Sequence, residues 1–262
     1  MPLYRDEGVV LRTAKLGEAD RIVWLFTRGH GKVRAVVKGV RRTRSRFGAR
    51  LEPFMRADVL VNTGRSLDVV SQAATIAAYA DRIVADYEAY TAANVIVETA
   101  DKVVVAEREP APDQYRLLIA ALAALTRGVH RPEAVGDSYV LRALALAGWS
   151  PRLTSCVVCG CTWQQACEAG EWYCSVPAGG LMCEADHTPE SRRLQPGALE
   201  QLRALVDGDW AVLDGGGPGR ASGGGASGGG LGGGLNPQTR HIVEEWGAYY
   251  LERPIRSLRL LD

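Results

Sequence analysis

The chain has 262 residues, 47% apolar and 23% charged, enough to bury one large core or two modest ones. Its formal net charge of +1 conceals a marked asymmetry: residues 1–70 hold 15 Lys/Arg against 7 Asp/Glu, a net +8, whereas the remaining 192 residues carry 16 against 23, a net −7. The first residues show no basic region followed by an apolar stretch, and the longest apolar run, 117–125, falls far short of the roughly 20 residues a spanning helix needs. A signal peptide and membrane spans are therefore not expected. The chain reads as cytoplasmic, its six cysteines as metal ligands and buried thiols rather than a disulfide framework.

In chain order, residues 4 to about 76 are patterned as short strands, with runs at 8–12, 21–27, 32–38, 56–62 and 67–72. Leu16-Gly17-Glu18-Ala19-Asp20 supplies one turn and Thr63-Gly64-Arg65-Ser66 another. In the third run a two-residue period puts Val33, Ala35 and Val37 inward and Lys32, Arg34 and Lys38 outward, so the outer face is cationic. Trp24 and Phe26 share one face of the second run and are assigned to the core. Five such strands in about 70 residues suit a small closed barrel. After Ile76 the spacing becomes helical: 79–106, then 114–125, 133–147, 196–206 and 239–251, the last expected to dock on the earlier helices. Residues 215–234 include 13 glycines and cannot bury enough apolar area to offset their ordering entropy, so this stretch is expected to be a disordered linker. The reading is α+β: a barrel over 1–77, then a mainly helical domain over 78–262 with an inserted segment at about 154–190.

The N-terminal cations concentrate where the third strand ends. Lys38, Arg41, Arg42, Arg44 and Arg46 fall within nine residues, with Gly39 and Gly48 framing the loop. Like charges packed this closely need a counter-charge, and the phosphates of a nucleic-acid strand supply one, with salt-sensitive binding as the consequence. Small barrels bind single strands by pairing a cationic groove with aromatic stacking. The candidate contact set is Arg21, Arg28, Lys32, Arg34, Lys38, Arg41, Arg42, Arg44, Arg46 and Arg50, with Phe47 as the stacking residue. A solvated basic face without a partner is the alternative.

These residues resemble a known family. Tyr4-Arg5 leading to Gly8-Val9-Val10-Leu11-Arg12, then 16–23, Gly31-Lys32, 35–42 and Phe47-Gly48-Ala49-Arg50-Leu51-Glu52-Pro53-Phe54, look like the N-terminal barrel of the RecO recombination mediators. The likeness continues more loosely through the helical region to Ser257-Leu258. It implies an oligonucleotide-binding (OB) barrel followed by a helical domain with a zinc knuckle. It also implies the activity of a mediator in recombinational DNA repair: binding single- and double-stranded DNA, annealing complementary strands, and helping RecA displace single-strand-binding protein together with RecR, with that protein's C-terminal tail as a docking peptide. A nucleoid-associated protein follows from that role.

Cys156-Val157-Val158-Cys159-Gly160 is a C-x2-C knuckle, whose turn lets two thiolates converge on one tetrahedral ion. Downstream, 179–183 matches the family's Gly-Gly-x-x-Cys, in which a further Cys three residues on would complete four cysteines; here that position is Asp186, followed by His187. Imidazole is the better zinc ligand of the two, so the expected set for a structural zinc is Cys156, Cys159, Cys183 and His187, with Asp186 as alternate and Cys174 as a further one. Cys161 and Cys167 fit no paired spacing. A knuckle that no longer holds metal is the competing reading.

An enzyme is not expected. There is no His-x-Glu paired with the C-x2-C for a zinc deaminase, no Gly-x-Ser-x-Gly elbow, and no Lys in the glycine-rich run for a phosphate loop. An RNA-binding accessory protein is the other alternative, since OB barrels also take RNA.

Overall fold

The computed structural model describes residues 2–43, 45–162, 170–215, 234–252 and 254–260. Arg44, Cys167 and residues 216–233 of the glycine-rich run lie outside the described residues.

The chain forms two compact units, the first comprising residues 1–132 and 256–262, the second residues 133–255. In the first, strands β1 (Leu3–Leu16), β2 (Asp20–Thr27), β3 (Gly31–Val37), β4 (Met55–Asn62) and β5 (Asp68–Ala78) close into a barrel of order β1-β2-β3-β5-β4. Long β1 pairs antiparallel with both β2 and β4, and a short parallel β3–β5 contact completes the ring, the arrangement of an OB barrel. Val10, Val23, Leu25, Val33, Ala35, Val37, Val59 and Val61 fill its interior, alternating along the strands as a two-residue period requires.

One bulge alters that period in β1. Val10 stands opposite Leu25, but Arg12 rather than Leu11 stands opposite Trp24. The extra residue re-aims the rest of the strand, so Arg12 joins the outer face.

Two features of β2 and the loop after β3 depart from expectation. The barrel interior takes Val23 and Leu25, while Trp24 and Phe26 point outward. Phe26 is nonetheless fully buried, edge-on to Tyr115 at 5.7 Å, whereas Trp24 is only partly covered. Phe47 is 1% exposed and packs with Leu51 into the barrel core.

Helices α1 (Tyr79–Ile83), α2 (Tyr87–Val103) and α3 (Pro112–Arg127) complete the first unit. The single helix expected over 79–106 is broken because Asp86 caps a new one: its carboxylate accepts from the Ala89 amide at 3.1 Å. The final turn, Arg256–Leu260, packs on α2, where Glu98 accepts from the Arg256 amide (3.0 Å) and from the Ser257 amide (2.9 Å) and hydroxyl (2.5 Å).

In the second unit α4 (Pro132–Leu146) leads into a three-stranded sheet, β6 (Trp172–Ser175), β7 (Gly180–Cys183) and β8 (Arg192–Arg193), with β6 central. Helices α5 (Ala198–Asp207), α6 (Trp210–Leu213) and α7 (Pro237–Tyr250) follow. Helix α7 docks as expected: Trp246 is buried and its indole N–H donates to the Trp149 carbonyl at 3.0 Å. No helix among the described residues is long and apolar enough to cross a membrane.

Candidate nucleic-acid interface and metal centre

The loop leaving β3 is held to the β1–β2 turn by its own backbone and by one arginine. The Gly39 amide donates to Asp20 Oδ1 at 2.7 Å, and the Arg41 amide to the Ala19 carbonyl at 3.0 Å. Arg41 Nη1 donates to the Gly17 and Glu18 carbonyls at 3.1 and 2.9 Å. Arg50 braces the other end of the loop, its Nη1 donating to the carbonyls of Arg46 (2.9 Å) and Phe47 (3.2 Å). A 3-10 turn at Gly48–Leu51 then sends the chain into β4. Apart from the Asp20 carboxylate, which accepts from the Gly39 amide, these bonds consume backbone carbonyls, so the described residues of the loop are held without the charge of their side chains being neutralised.

Lys38, Arg41, Arg42 and Arg46 are exposed, and none has a carboxylate partner among the described residues. The Arg46 guanidinium lies 4.9 Å over the Phe47 ring. Arg44 falls outside the described residues.

The remaining predicted cations are committed elsewhere. Arg21 bonds Glu52, Arg28 lies 3.5 Å from Glu7, and Arg34 lies 3.4 Å from Glu107. Lys32 does leave the barrel interior, but α2 covers it: 8% exposed, it donates to the Asp101 carbonyl at 2.7 Å and carboxylate at 3.3 Å. That corrects its assignment to an open cationic face. Phe47 is corrected too. An aromatic side chain inside the barrel presents no face on which a base can stack, and its burial follows from the 3-10 turn that directs both Phe47 and Leu51 inward. Arg12, not among the predicted contacts, lies with its guanidinium 3.5 Å over the Trp24 ring; only the bulge at Leu11, invisible to simple alternation, brings it there.

The second candidate site is built on β7 and two turns. Gly180, at φ +153, is where β7 starts, and a Cβ there would meet the Arg152 carbonyl oxygen at 2.2 Å; only glycine permits this approach of two backbones. The approach is sealed by Leu181 N–H donating to the Arg152 carbonyl (2.9 Å) and Val157 N–H to the Leu181 carbonyl (2.8 Å), which sets the Cys156 turn beside Cys183. Cys156, Cys159, Cys183 and Asp186 thereby place one ligand atom each within 4.8 Å of one another. Cys159 Sγ is 3.7 Å from Cys183 Sγ, and Asp186 Oδ2 is 3.3 Å from Cys156 Sγ and 3.2 Å from Cys183 Sγ.

A tetrahedral zinc would set sulfurs about 3.8 Å apart and a sulfur about 3.5 Å from a carboxylate oxygen, so the donor set fits such an ion. Hydrogen bonds from the thiols of Cys159, Cys183 and Cys156 hold the Asp186 carboxyl below the usual range.

Of the two predicted fourth donors, the structure brings in Asp186. Its amide closes a turn onto the Cys183 carbonyl at 3.1 Å, which folds the carboxylate back over the thiols. His187, one residue on, points away: Nδ1 meets the Glu184 carbonyl at 2.7 Å and the ring stacks on Tyr173 at 4.1 Å. Cys174 is also outside the cluster, and burial pushes its thiol up to about 12.

Comparison with known proteins joins the two sites. Residues 1–79 match the family described as Recombination protein O N terminal, and residues 84–216 match Recombination protein O C terminal. The DNA repair protein RecO of Bifidobacterium adolescentis is 64% identical over 262 residues, the whole of both chains. The protein of the same name from a Nocardioides species is 49% identical over 99% of each chain, and that of Streptomyces coelicolor 43% identical over the full length of both. With an OB barrel in front, a helical unit behind, and both halves of the family matched across the chain, this protein belongs to the RecO family of DNA repair and recombination proteins.

Proposed function

We propose that the protein is a recombination mediator that binds single-stranded DNA at the cationic end of its barrel, anneals complementary strands and assists RecA loading, without catalysing a covalent step itself. The observation that carries this is the stretch 38–43 and 45–46: held mainly by backbone acceptors, it leaves Lys38, Arg41, Arg42 and Arg46 exposed and without carboxylate partners among the described residues. Fixed, unneutralised cations are what a phosphate chain needs, because its condensed counterions are released on binding. In this reading residues 1–77 take the DNA and residues 78–262 serve the partners. Family membership supports the partner set of RecR, the C-terminal tail of single-strand-binding protein, RecA indirectly, and duplex DNA, with the protein working on the nucleoid. Cys156, Cys159, Cys183 and Asp186 would hold a zinc ion whose chemistry is structural, tying the turn after residue 155 to β7.

The test is an anisotropy titration of a labelled single strand across salt concentrations. Replacing Arg41, Arg42 and Arg46 with Ala is expected to lower the log–log salt slope by about 2, at about 0.7 per lost phosphate contact. An unchanged slope overturns the assignment. An RNA strand of equal length, run in parallel, decides between nucleic acids, and annealing of strands coated with single-strand-binding protein tests the mediator role.

A further inference from the structure

The outer face of β1, β2 and β3 carries a cross-strand row that the phosphate-binding loop does not use. Arg12, Trp24 and Arg34 stand directly opposite one another on adjacent strands. The bulge at Leu11 is what puts Arg12 in this row; in a regular strand Leu11 would face Trp24. The Arg12 guanidinium lies 3.5 Å over the indole, and its edge is fixed by Asp101 at 2.7 Å from Nε. One face of the guanidinium plane is therefore occupied and its rotation is blocked, while the side chain remains 50% exposed. Arg34, on the far side of Trp24, is 42% exposed.

We propose that Arg12, backed by Trp24, is a stacking platform for one base of the bound single strand. This rests on the single-strand reading above and adds to it the base contact that Phe47 cannot make. Guanidinium planes and aromatic rings are the surfaces on which unpaired bases stack, and every base offers a π-face to them. The surroundings favour a polyanionic occupant: Arg34 in the same row is paired with Glu107, but exposed Lys38, Arg41 and Arg42, without carboxylate partners among the described residues, continue from the end of β3. Asp101, which Arg12 shares with Lys32, engages the Nε edge of the guanidinium, so what Arg12 presents to the strand is its plane.

The experiment compares oligo(dT) with an abasic phosphodiester strand of equal length, on wild-type protein and on Arg12→Lys, which keeps the charge and loses the plane. Wild type is expected to prefer oligo(dT), and Arg12→Lys to weaken oligo(dT) binding about fivefold or more while changing abasic-strand binding less than twofold. Because the readout is a ratio between two strands on one protein sample, a variant that folds less well lowers both affinities and leaves the ratio interpretable. Equal weakening of both strands makes Arg12 a phosphate contact and overturns the platform, as does a preference that survives the substitution. A wild-type protein that binds neither strand overturns the single-strand reading itself.

Discussion

Removing Asp186 tests the metal centre most directly, because the structure and donor chemistry disagree about which residue completes it. Asp186 Oδ2 lies 3.2–3.3 Å from two of the three sulfurs, whereas His187 is held away by the Glu184 carbonyl and the Tyr173 ring. Asp186→Ala leaves three thiolates and an open coordination position. If that weakens zinc binding by about a hundredfold, linkage lowers the stability of the folded unit by about 2.7 kcal/mol at saturating metal. For a unit of residues 133–255, this corresponds to a fall in melting temperature of roughly 10 °C. Asp186→Cys, which supplies a fourth thiolate at the same turn, should bind zinc at least as tightly as wild type. His187→Ala should leave zinc retention unchanged, costing only its stacking on Tyr173. Zinc content by elemental analysis, zinc release to a chromogenic chelator and calorimetric melting with and without chelator give the readouts. If His187→Ala loses zinc as readily as Asp186→Ala, the placement of the fourth ligand is wrong; if wild type purified under reducing conditions without chelators holds no zinc, the knuckle is not a metal site.

Two further outcomes follow from the first unit. Burial pushes the Glu98 carboxyl up, but hydrogen bonds from Lys102 and from Ser257 outweigh it and hold the group below the usual range, so its contribution is present above the unfolded carboxylate pKa and lost as pH falls through the folded one. Glu98→Gln should therefore destabilise by about 2 kcal/mol at pH 7, with the difference from wild type closing below about pH 4 in urea titrations; a pH-independent difference would remove charge from the account. Phe47→Leu should cost about 1 kcal/mol in thermal melts, because the smaller side chain still fills most of the space beside Leu51 inside the barrel, and should leave single-strand affinity unchanged at 25 °C. A several-fold loss of affinity by the folded variant would return Phe47 to the binding surface.

The five barrel strands were legible because each has one buried face, and alternation reports burial directly: Val33, Ala35 and Val37 lie inside as their spacing requires. What alternation does not report is what covers the outer face. Lys32 has the same outward parity as Arg34, yet only Lys32 is buried by α2, a contact 69 residues distant in sequence. Phe47 among arginines has the composition of a stacking residue, and only the 3-10 turn beyond it reveals that the ring is enclosed. Strands β6 to β8, of four residues or fewer, carry too little periodic signal to be read. Cys156 and Cys159 were visible from their C-x2-C spacing and Cys183 from the family resemblance; the fourth member of the cluster depends on which way a turn folds, and donor preference alone ranked imidazole over carboxylate.

The bond between Glu98 and the turn at Arg256–Leu260 has a bearing on how the chain is made. The partners are 158 residues apart, and residues 133–255 between them form a separate compact unit. At translation rates of about 5–20 residues per second, Glu98 is synthesised roughly 8–30 s before the amides that satisfy it. A nascent barrel therefore leaves the ribosome with one flank of α2 uncovered, and cannot close it until residue 257 has been synthesised. The helical insert thus delays completion of the unit that precedes it, and the nascent chain is most open to premature association during that interval.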